Sequence, residues 1–416
     1  MDHAPATAGR SPEPVPGAKA GVVLWILAIV SIALLIYEGG TLITAVILPL
    51  LDNPNVIQTD FHYYYEAAVR FRADASKLYL ATDDVIAGFA YPPPAIVPFV
   101  ALSRVPLGVA FLIVTVASYL AIAGAAWMWL NYLRDRGREI DGRTAAAITL
   151  IALALGPTYM NAIFGQVNAF VLAGAVVFMT LAVVRPITSG ASLAAGTWLK
   201  IYPALMVAAA FWDRRVWRAV AYAAIVAAII VVIALPIVPI GAYRAFLDVL
   251  AARGDQTALH ITNQSLQGFL ERFAVTPELF LNWTGKEAVT VGAAVRALNW
   301  MFGGVVVAWL WARTNASADA AVHGAAALLA LAAVIAPLGW GHTYVLVLPL
   351  VITHLASARR PARLALVAAC VVAMMVPAGR RLSFIEQWPA WMQNVAYSRY
   401  LIATMILIVL PQGEKK

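Results

Sequence analysis

Three ionisable side chains stand far apart in an otherwise apolar chain: Asp60, Lys200 and His342. Asp60 opens the stretch "QTDFHYYYEAAVRF" (58–71), Lys200 lies in "TWLKIYPAL" (197–205), and His342 lies in "WGHTYVLVLPL" (340–350). A carboxylate at the start of a helix either caps its free N–H groups or is available to take a proton. An ammonium inside an apolar segment either snorkels to the interface or meets an anion, and phosphate is the anion it suits as a point charge. A histidine at a break between apolar runs is either structural or a proton carrier or phosphate contact. Other polar groups recur beside these three: His62 and Glu66, Tyr91, Gln166 and Asn168, and Asn263, Gln264 and Arg272.

The elements that must position them are membrane helices. The chain has 416 residues, is 62% hydrophobic and only 12% charged, with a mean hydropathy of +0.80. Continuous apolar runs of about 17–25 residues recur along it, as bilayer-spanning helices require. The reading is an all-α polytopic membrane protein with about ten full spans, re-entrant or half-helix elements, and extracytoplasmic loops. The net charge of +8 resides in short Lys- and Arg-bearing loops, the bias of cytoplasmic loops, so nucleic acid is not an expected partner. The lone Cys370 sits in an apolar run and reads as a buried thiol.

Residues 1–20, rich in Ala, Pro and Gly, read as a disordered cytoplasmic tail, and residues 412–416 as a second one. Between them, residues 21–411 read as a single transmembrane domain. "GVVLWILAIVSIALLIY" (21–37) reads as an uncleaved first span. Residues 39–91 then lie outside the cytoplasm, as does the long loop 241–289. "PPPAIVPFVALS" (92–103) is too short to cross a core of roughly 30 Å and reads as re-entrant or interfacial.

Residues 107–132 return to the arginine-rich "LRDRGREIDGR" (133–143), and 144–161 bring "FGQVN" (164–168) to the outer face. The stretch 190–211 begins and ends on the cytoplasmic side, so it reads as two half-helices broken near "LKIYP" (199–203). Pro203 lacks an N–H and biases Tyr202 away from helical geometry. Further spans are expected near 218–240, 290–313, 320–338, 343–356, 364–378 and 394–411. On this threading both termini are cytoplasmic and the polar groups gather at the outer rim.

Several motifs are missing. There is no phosphate-binding G-x-x-x-x-G-K-[ST] loop and no dinucleotide fingerprint, so no nucleotide-binding domain is expected. No Cys/His spacing points to zinc, and no cofactor or metal is expected. An activated substrate would then come from the membrane itself.

"TDFHYYYEAA", "KLYL", "FAYPPPA", "FGQVNAFVL", "TWLKIYPAL", "NQSLQGFLERF" and "WGHTYVLVLPL" occur in that order and resemble glycosyltransferase family 87. Those are polyprenol-phosphate-sugar-dependent enzymes of the glycosyltransferase-C superfamily, best known as α-1,2-mannosyltransferases. The resemblance implies transfer of a hexose, with mannose foremost, from a polyprenyl-phosphate donor to a lipid-linked or glycan acceptor at the outer membrane face. It maps the superfamily's essential acid onto Asp60; a single Asp in "DFH" argues against a tightly held metal. With that resemblance, Asp60 is the expected base, with His342 its rival, and Lys200 and Arg272 the donor-phosphate ligands. Gln166, Asn168 and Gln264 would orient sugar hydroxyls or phosphate oxygens. Tyr63 to Tyr65 and Trp340 would stack on sugar or anchor at the interface, and His62, Glu66, Tyr91, Tyr202 and Asn263 complete the expected substrate site. The competing class is a transporter or lipid flippase, which also needs polar groups in a membrane cavity.

Overall fold

The computed structural model describes residues 18–53, 56, 59–79, 88–282, 288–314, 318–358 and 360–410. The tail beyond residue 410 and residues 1–17 of the expected leading tail therefore lie outside the described residues. The chain is helical almost throughout. Helix α1 (Ala18–Leu42) continues through a π-helical turn into α2 (Leu48–Asp52). Ile29, Ile32 and Ile36 on α1 are exposed while Leu27, Ala28 and Ser31 are buried, so one side meets lipid and the other the bundle. Helix α3 (Asp60–Ala73) follows, then a 3-10 turn at Pro93–Ala95 leading into α4 (Ile96–Leu102), which packs on α3.

The 29-residue α5 (Leu107–Asp135) is the longest element. A Cβ on Gly108 would lie 2.6 Å from the Leu50 carbonyl oxygen, so glycine is what lets α2 rest on the start of α5. Helix α6 (Gly142–Ala154), capped by Asp141 accepting from the Thr144 N–H at 2.7 Å, bends by 51° into α7 (Gly156–Ile163). Pro157 in the first turn of α7 explains the bend, since its ring cannot continue the preceding hydrogen-bond ladder.

Helices α8 (Asn168–Leu181) and α9 (Pro186–Leu199) form a hairpin against α5 and α10 (Trp217–Ala234). Helix α9 stops at Lys200, whose backbone is extended (φ −160°, ψ 132°), and a 3-10 stretch runs over Tyr202–Phe211. The expected break at 199–203 is therefore present. Helix α11 (Ile240–Gly254) leads to β1 (Gln256–Ala258), α12 (Leu266–Glu271) and α13 (Pro277–Leu281), and β1 pairs antiparallel with β2 (Ala288–Thr290). The bundle closes with α14 (Ala293–Thr314), α15 (Ala318–Ile335), a 3-10 turn at Gly341–Val347, α16 (Leu348–Ser357), α17 (Pro361–Met375), α18 (Ala390–Tyr397) and α19 (Arg399–Val409).

Among the described residues four helices are long and apolar enough to cross a membrane, or five if the bent α6–α7 pair counts as one span. Ten full spans are thus not reached. Seven further apolar helices have only 10–17 residues, among them α8, α17 and α19. The apolar runs in the sequence are long enough, but helix breaks at Lys200 and 3-10 windings at 202–211 and 341–347 divide them.

Candidate active site

Helix α3 presents two faces. Asp60 and Tyr64, four residues apart, share one of them, as a period of 3.6 requires. His62, Glu66 and Arg70 share the other and pair with one another: His62 Nε2 lies 3.1 Å from Glu66 Oε1, and Arg70 Nη1 lies 3.8 Å from Glu66 Oε2. The N-terminus of α3 is pinned by the Phe61 N–H donating to the Phe164 carbonyl at 3.0 Å. That carbonyl belongs to the "FGQVN" turn, where Gly165 has φ +62° and a Cβ would fall 2.6 Å from Phe61 Cβ. Only glycine fits both the backbone angle and the close approach. The turn sets Gln166 and Asn168 beside Asp60.

Two chains of hydrogen bonds meet on the Asp60 carboxylate. In the first, Gln166 Nε2 donates to Asp60 Oδ2 at 2.5 Å and to the Tyr64 hydroxyl at 2.7 Å. The Tyr91 hydroxyl lies 2.9 Å from Gln166 Oε1 and 2.6 Å from the Tyr64 hydroxyl. Burial, reinforced by Tyr91 and the charge of Asp60, pushes the Tyr64 phenol well above its ordinary range. Burial likewise raises Tyr91, so both phenols stay protonated.

The second chain begins at Lys200, whose Nζ donates to Asn168 Oδ1 at 2.9 Å. With its oxygen facing the ammonium, Asn168 must turn its Nδ2 toward His342, and it lies 2.9 Å from His342 Nδ1. An N–H aimed at Nδ1 makes Nδ1 the acceptor, so the neutral ring carries its proton on Nε2. Nε2 lies 3.5 Å from Asp60 Oδ2. Lys200, Asn168, His342 and Asp60 are thus linked in series, and the carboxylate at the end remains 36% exposed at its side chain. Lys200 also sits over the rings of Tyr91 and Tyr202, at 5.4 and 5.2 Å from their centroids.

His342 is held by the loop after β1. The Gly341 N–H donates to the Thr262 carbonyl at 2.8 Å, the Gln264 N–H donates to the Gly339 carbonyl at 2.8 Å, and Asn263 bridges to Trp340. Asn263 and Gln264 are fully buried and spend their side-chain amides on this loop: Asn263 Nδ2 donates to the Ala258 carbonyl, and Gln264 Nε2 to the Ile261 and Tyr397 carbonyls. They back the site rather than line it.

Arg272 differs from the expectation most. It is 1% exposed, and its guanidinium donates to Asn394 Oδ1 (2.7 Å), the Asn263 carbonyl (2.9 Å) and Ser398 Oγ (2.8 Å). It ties the loop to α18 and α19 and is not joined to the Lys200 chain. Burial pushes its pKa down to about 9, with no carboxylate bonded to it. Tyr63 is half-buried against the apolar cluster around Phe61. The residues gathered at the site are therefore Asp60, Tyr91, Gln166, Asn168, Lys200, Tyr202 and His342.

Two residues to which the sequence reading gave no place in the polar network belong with them. Tyr64 is one, and its signal was the four-residue step from Asp60. Arg253, in the last turn of α11, is the other: its charge reaches Lys200, Tyr91 and Tyr202. Nothing in its local sequence marks it. Among the described residues no three His, Cys, Asp or Glu side chains gather into a metal-binding group.

On the far side of His342, Phe164 stacks edge-on against its ring at 6.0 Å between centroids. Phe164 also lines a cavity of about 420 Å³, shared with Tyr159, His260, Thr262, Asn282 and Arg381. Arg381 is held there by a bidentate pair with Glu386, at 2.7 and 2.8 Å.

A bundle of apolar helices with a polar site built on its connecting segments is the class of molecule these observations define. The model of glycosyltransferase family 87 matches residues 89–337, more than half of the chain, and the protein belongs to that family. It is a membrane glycosyltransferase. Tyr91, Gln166, Asn168, Lys200, Tyr202 and Arg253 fall within the matched residues, whereas Asp60 and His342 lie on either side of them. No curated protein matches the chain. Family membership places sugar transfer ahead of the transporter alternative.

Proposed function

We propose that the protein transfers a hexose, with mannose the first candidate, from a polyprenyl-phosphate donor to a lipid-linked or glycan acceptor. The reaction takes place at the extracytoplasmic membrane face, with both termini in the cytoplasm. The observation that carries the reading is the series Lys200–Asn168–His342–Asp60, which joins a cation and a carboxylate from two distant segments of the chain.

In this reading the acceptor hydroxyl gives its proton to Asp60 as its oxygen bonds to the anomeric carbon. The bond from that carbon to the phosphate oxygen breaks, and its electron pair leaves with the polyprenyl phosphate. Lys200 stabilises the charge that grows on the phosphate, with Arg253 adding to the field. Polyprenyl phosphate is already a good leaving group, so no strong acid is required. Attack opposite the leaving group inverts the anomeric centre, by analogy with inverting glycosidases. The His342 Nε2–H orients the carboxylate and holds its second oxygen toward the acceptor. The reaction calls for no metal in this scheme.

The test is transfer from a panel of synthetic polyprenyl-phosphate hexoses by the purified protein in lipid nanodiscs. Wild-type protein is expected to transfer from at least one such donor, and Asp60→Asn to lose transfer while keeping its fold. Full activity in Asp60→Asn would remove Asp60 as the base. Activity with a sugar nucleotide but with no lipid-linked donor would overturn the donor class.

A further inference from the structure

One acid in the described bundle takes no part in this chemistry. Glu38 lies near the end of α1, on the helix's inward side, and is 5% exposed. Among the described residues its carboxylate has no hydrogen bond and no ion pair. Leaving a carboxylate buried and unpaired costs several kcal/mol, and an ionisable group within a span points to a ligand or a partner.

The groups around Glu38 are uncommitted too. Tyr119 on α5 and Tyr159 on α7 lie within reach of its charge, and neither phenol has a hydrogen-bond partner among the described residues. Thr115, one turn from Tyr119 on the same face of α5, has a buried hydroxyl with no partner. Arg380, in the turn after α17, also faces Glu38, yet the two form no ion pair and the guanidinium is exposed. Helices α1, α5 and α7 and the start of α17's outgoing turn thus surround opposite charges that do not meet. Tyr159 and the neighbouring Pro377, Gly379 and Arg381 connect this cluster to the 420 Å³ cavity.

The flank of the cluster opens to lipid. Tyr37 and Ile36, on the same turn of α1, are 58% and 72% exposed. A tyrosine and an arginine at the end of a short apolar helix such as α17 are the residues of a membrane–water interface. A ligand that neutralises both Glu38 and Arg380 carries an anionic group and a hydrogen donor a few bonds apart. A phospholipid headgroup whose phosphodiester bears an ammonium or a hydroxyl has that chemistry.

We propose that Glu38, Tyr119, Tyr159 and Arg380 form a docking site for such a headgroup. Arg380 takes the phosphodiester, and Glu38 with the two phenols takes the hydrogen-donating substituent. The lipid site does not depend on the transferase reading. One extension does: a headgroup seated there lies at the mouth of the cavity that ends on Phe164 and His342, where a lipid-borne acceptor would be held.

Native mass spectrometry of the full chain, released from vesicles of mixed lipids, tests the proposal without any sugar transfer. Phosphatidylethanolamine and phosphatidylinositol supply the ammonium and the hydroxyl; phosphatidylcholine has the phosphodiester but no hydrogen to donate. Wild-type protein is expected to retain one or both of the first two about tenfold over phosphatidylcholine, the worth of one charge-assisted hydrogen bond. Glu38→Gln should erase that preference, and Arg380→Ala should lower retention of all three lipids. Arg380 is exposed, so its variant keeps the test open if Glu38→Gln folds poorly. Equal retention of phosphatidylcholine by wild-type protein, an unchanged preference in Glu38→Gln, or unchanged retention of the lipids in Arg380→Ala overturns the site.

Discussion

Two buried polar networks lie within one loop of each other and are built to opposite plans. The guanidinium of Arg272 donates to neutral oxygens of the same fold: two carbonyls, an amide and a hydroxyl. The network on Asp60 is made of side chain to side chain links, and it ends on a carboxylate that is still a third exposed. Backbone carbonyls cannot change their charge or leave, so a cation satisfied by them has been assigned to hold structure. A series of side chains that ends at a partly open acid can pass polarity to something that binds there. Position on the same side of the membrane does not separate the two; the identity of the acceptors does.

The largest expected effect breaks the comparison at its acid. Asp60→Asn keeps an oxygen to accept from Gln166 but cannot take a proton. A drop in turnover of about a thousandfold is expected from loss of the base, with the melting temperature of the detergent-solubilised protein almost unmoved. A variant that instead lost its fold with little change in specific activity would make Asp60 a helix cap.

Arg272→Ala is the mirror experiment. It strands the Asn394 amide, the Ser398 hydroxyl and the Asn263 carbonyl in a dry interior, and a loss of about 3 kcal/mol in stability is expected. The protein that remains folded should turn over normally at unchanged donor KM. A folded Arg272→Ala with a raised donor KM would restore Arg272 to the donor site and erase the distinction.

Lys200→Ala comes third. Removing one charge-assisted contact to a phosphate should raise the donor KM by about tenfold to a hundredfold. It also frees Asn168 to rotate, so the His342 tautomer is no longer imposed and kcat should fall as well. Asn168→Ala separates the two effects, because it keeps the ammonium's charge for the phosphate while it removes the amide that joins Lys200 to His342. Loss of donor affinity in Lys200→Ala alone, with kcat reduced in both variants, is the expected pattern. An unchanged donor KM in Lys200→Ala would mean that the ammonium only snorkels.

The same contrast explains what could be read in the chain. A charge inside an apolar hairpin, a break imposed by Pro203 and a carboxylate after the first span are local features, and they led to Asp60, Lys200 and His342 coming together. Which polar groups face inward is not local. Asn263, Gln264 and Arg272 have the same residue types as a substrate site, and their satisfaction depends on the Tyr397 carbonyl and Asn394 amide of α18, the Tyr400 N–H of α19 and the Gly339 carbonyl. Ten full spans are not shown for a related reason. Apolar composition is continuous through 190–211 and 336–357, while the winding there changes from α to 3-10 and back.

Helix register supplies the finest test. Tyr63, Tyr64 and Tyr65 are consecutive, so composition cannot rank them, but Tyr64, four residues on from Asp60, places its hydroxyl on the Gln166 amide that also holds the carboxylate. Tyr65 spends its hydroxyl on the Val105 carbonyl at 2.8 Å, away from the acid. Tyr64→Phe removes one neutral hydrogen bond from Gln166 and leaves the ring packed against Tyr91 and Phe99. A fall in kcat of about threefold to tenfold is expected, the worth of one such bond, because Gln166 then holds Asp60 less firmly. Tyr63→Phe should change kcat by less than its error of measurement. If Tyr63→Phe were the slower enzyme, the face of α3 that meets substrate would be the one carrying His62 and Glu66, and the Lys200–Asn168–His342 series would be aimed at a carboxylate that does not react.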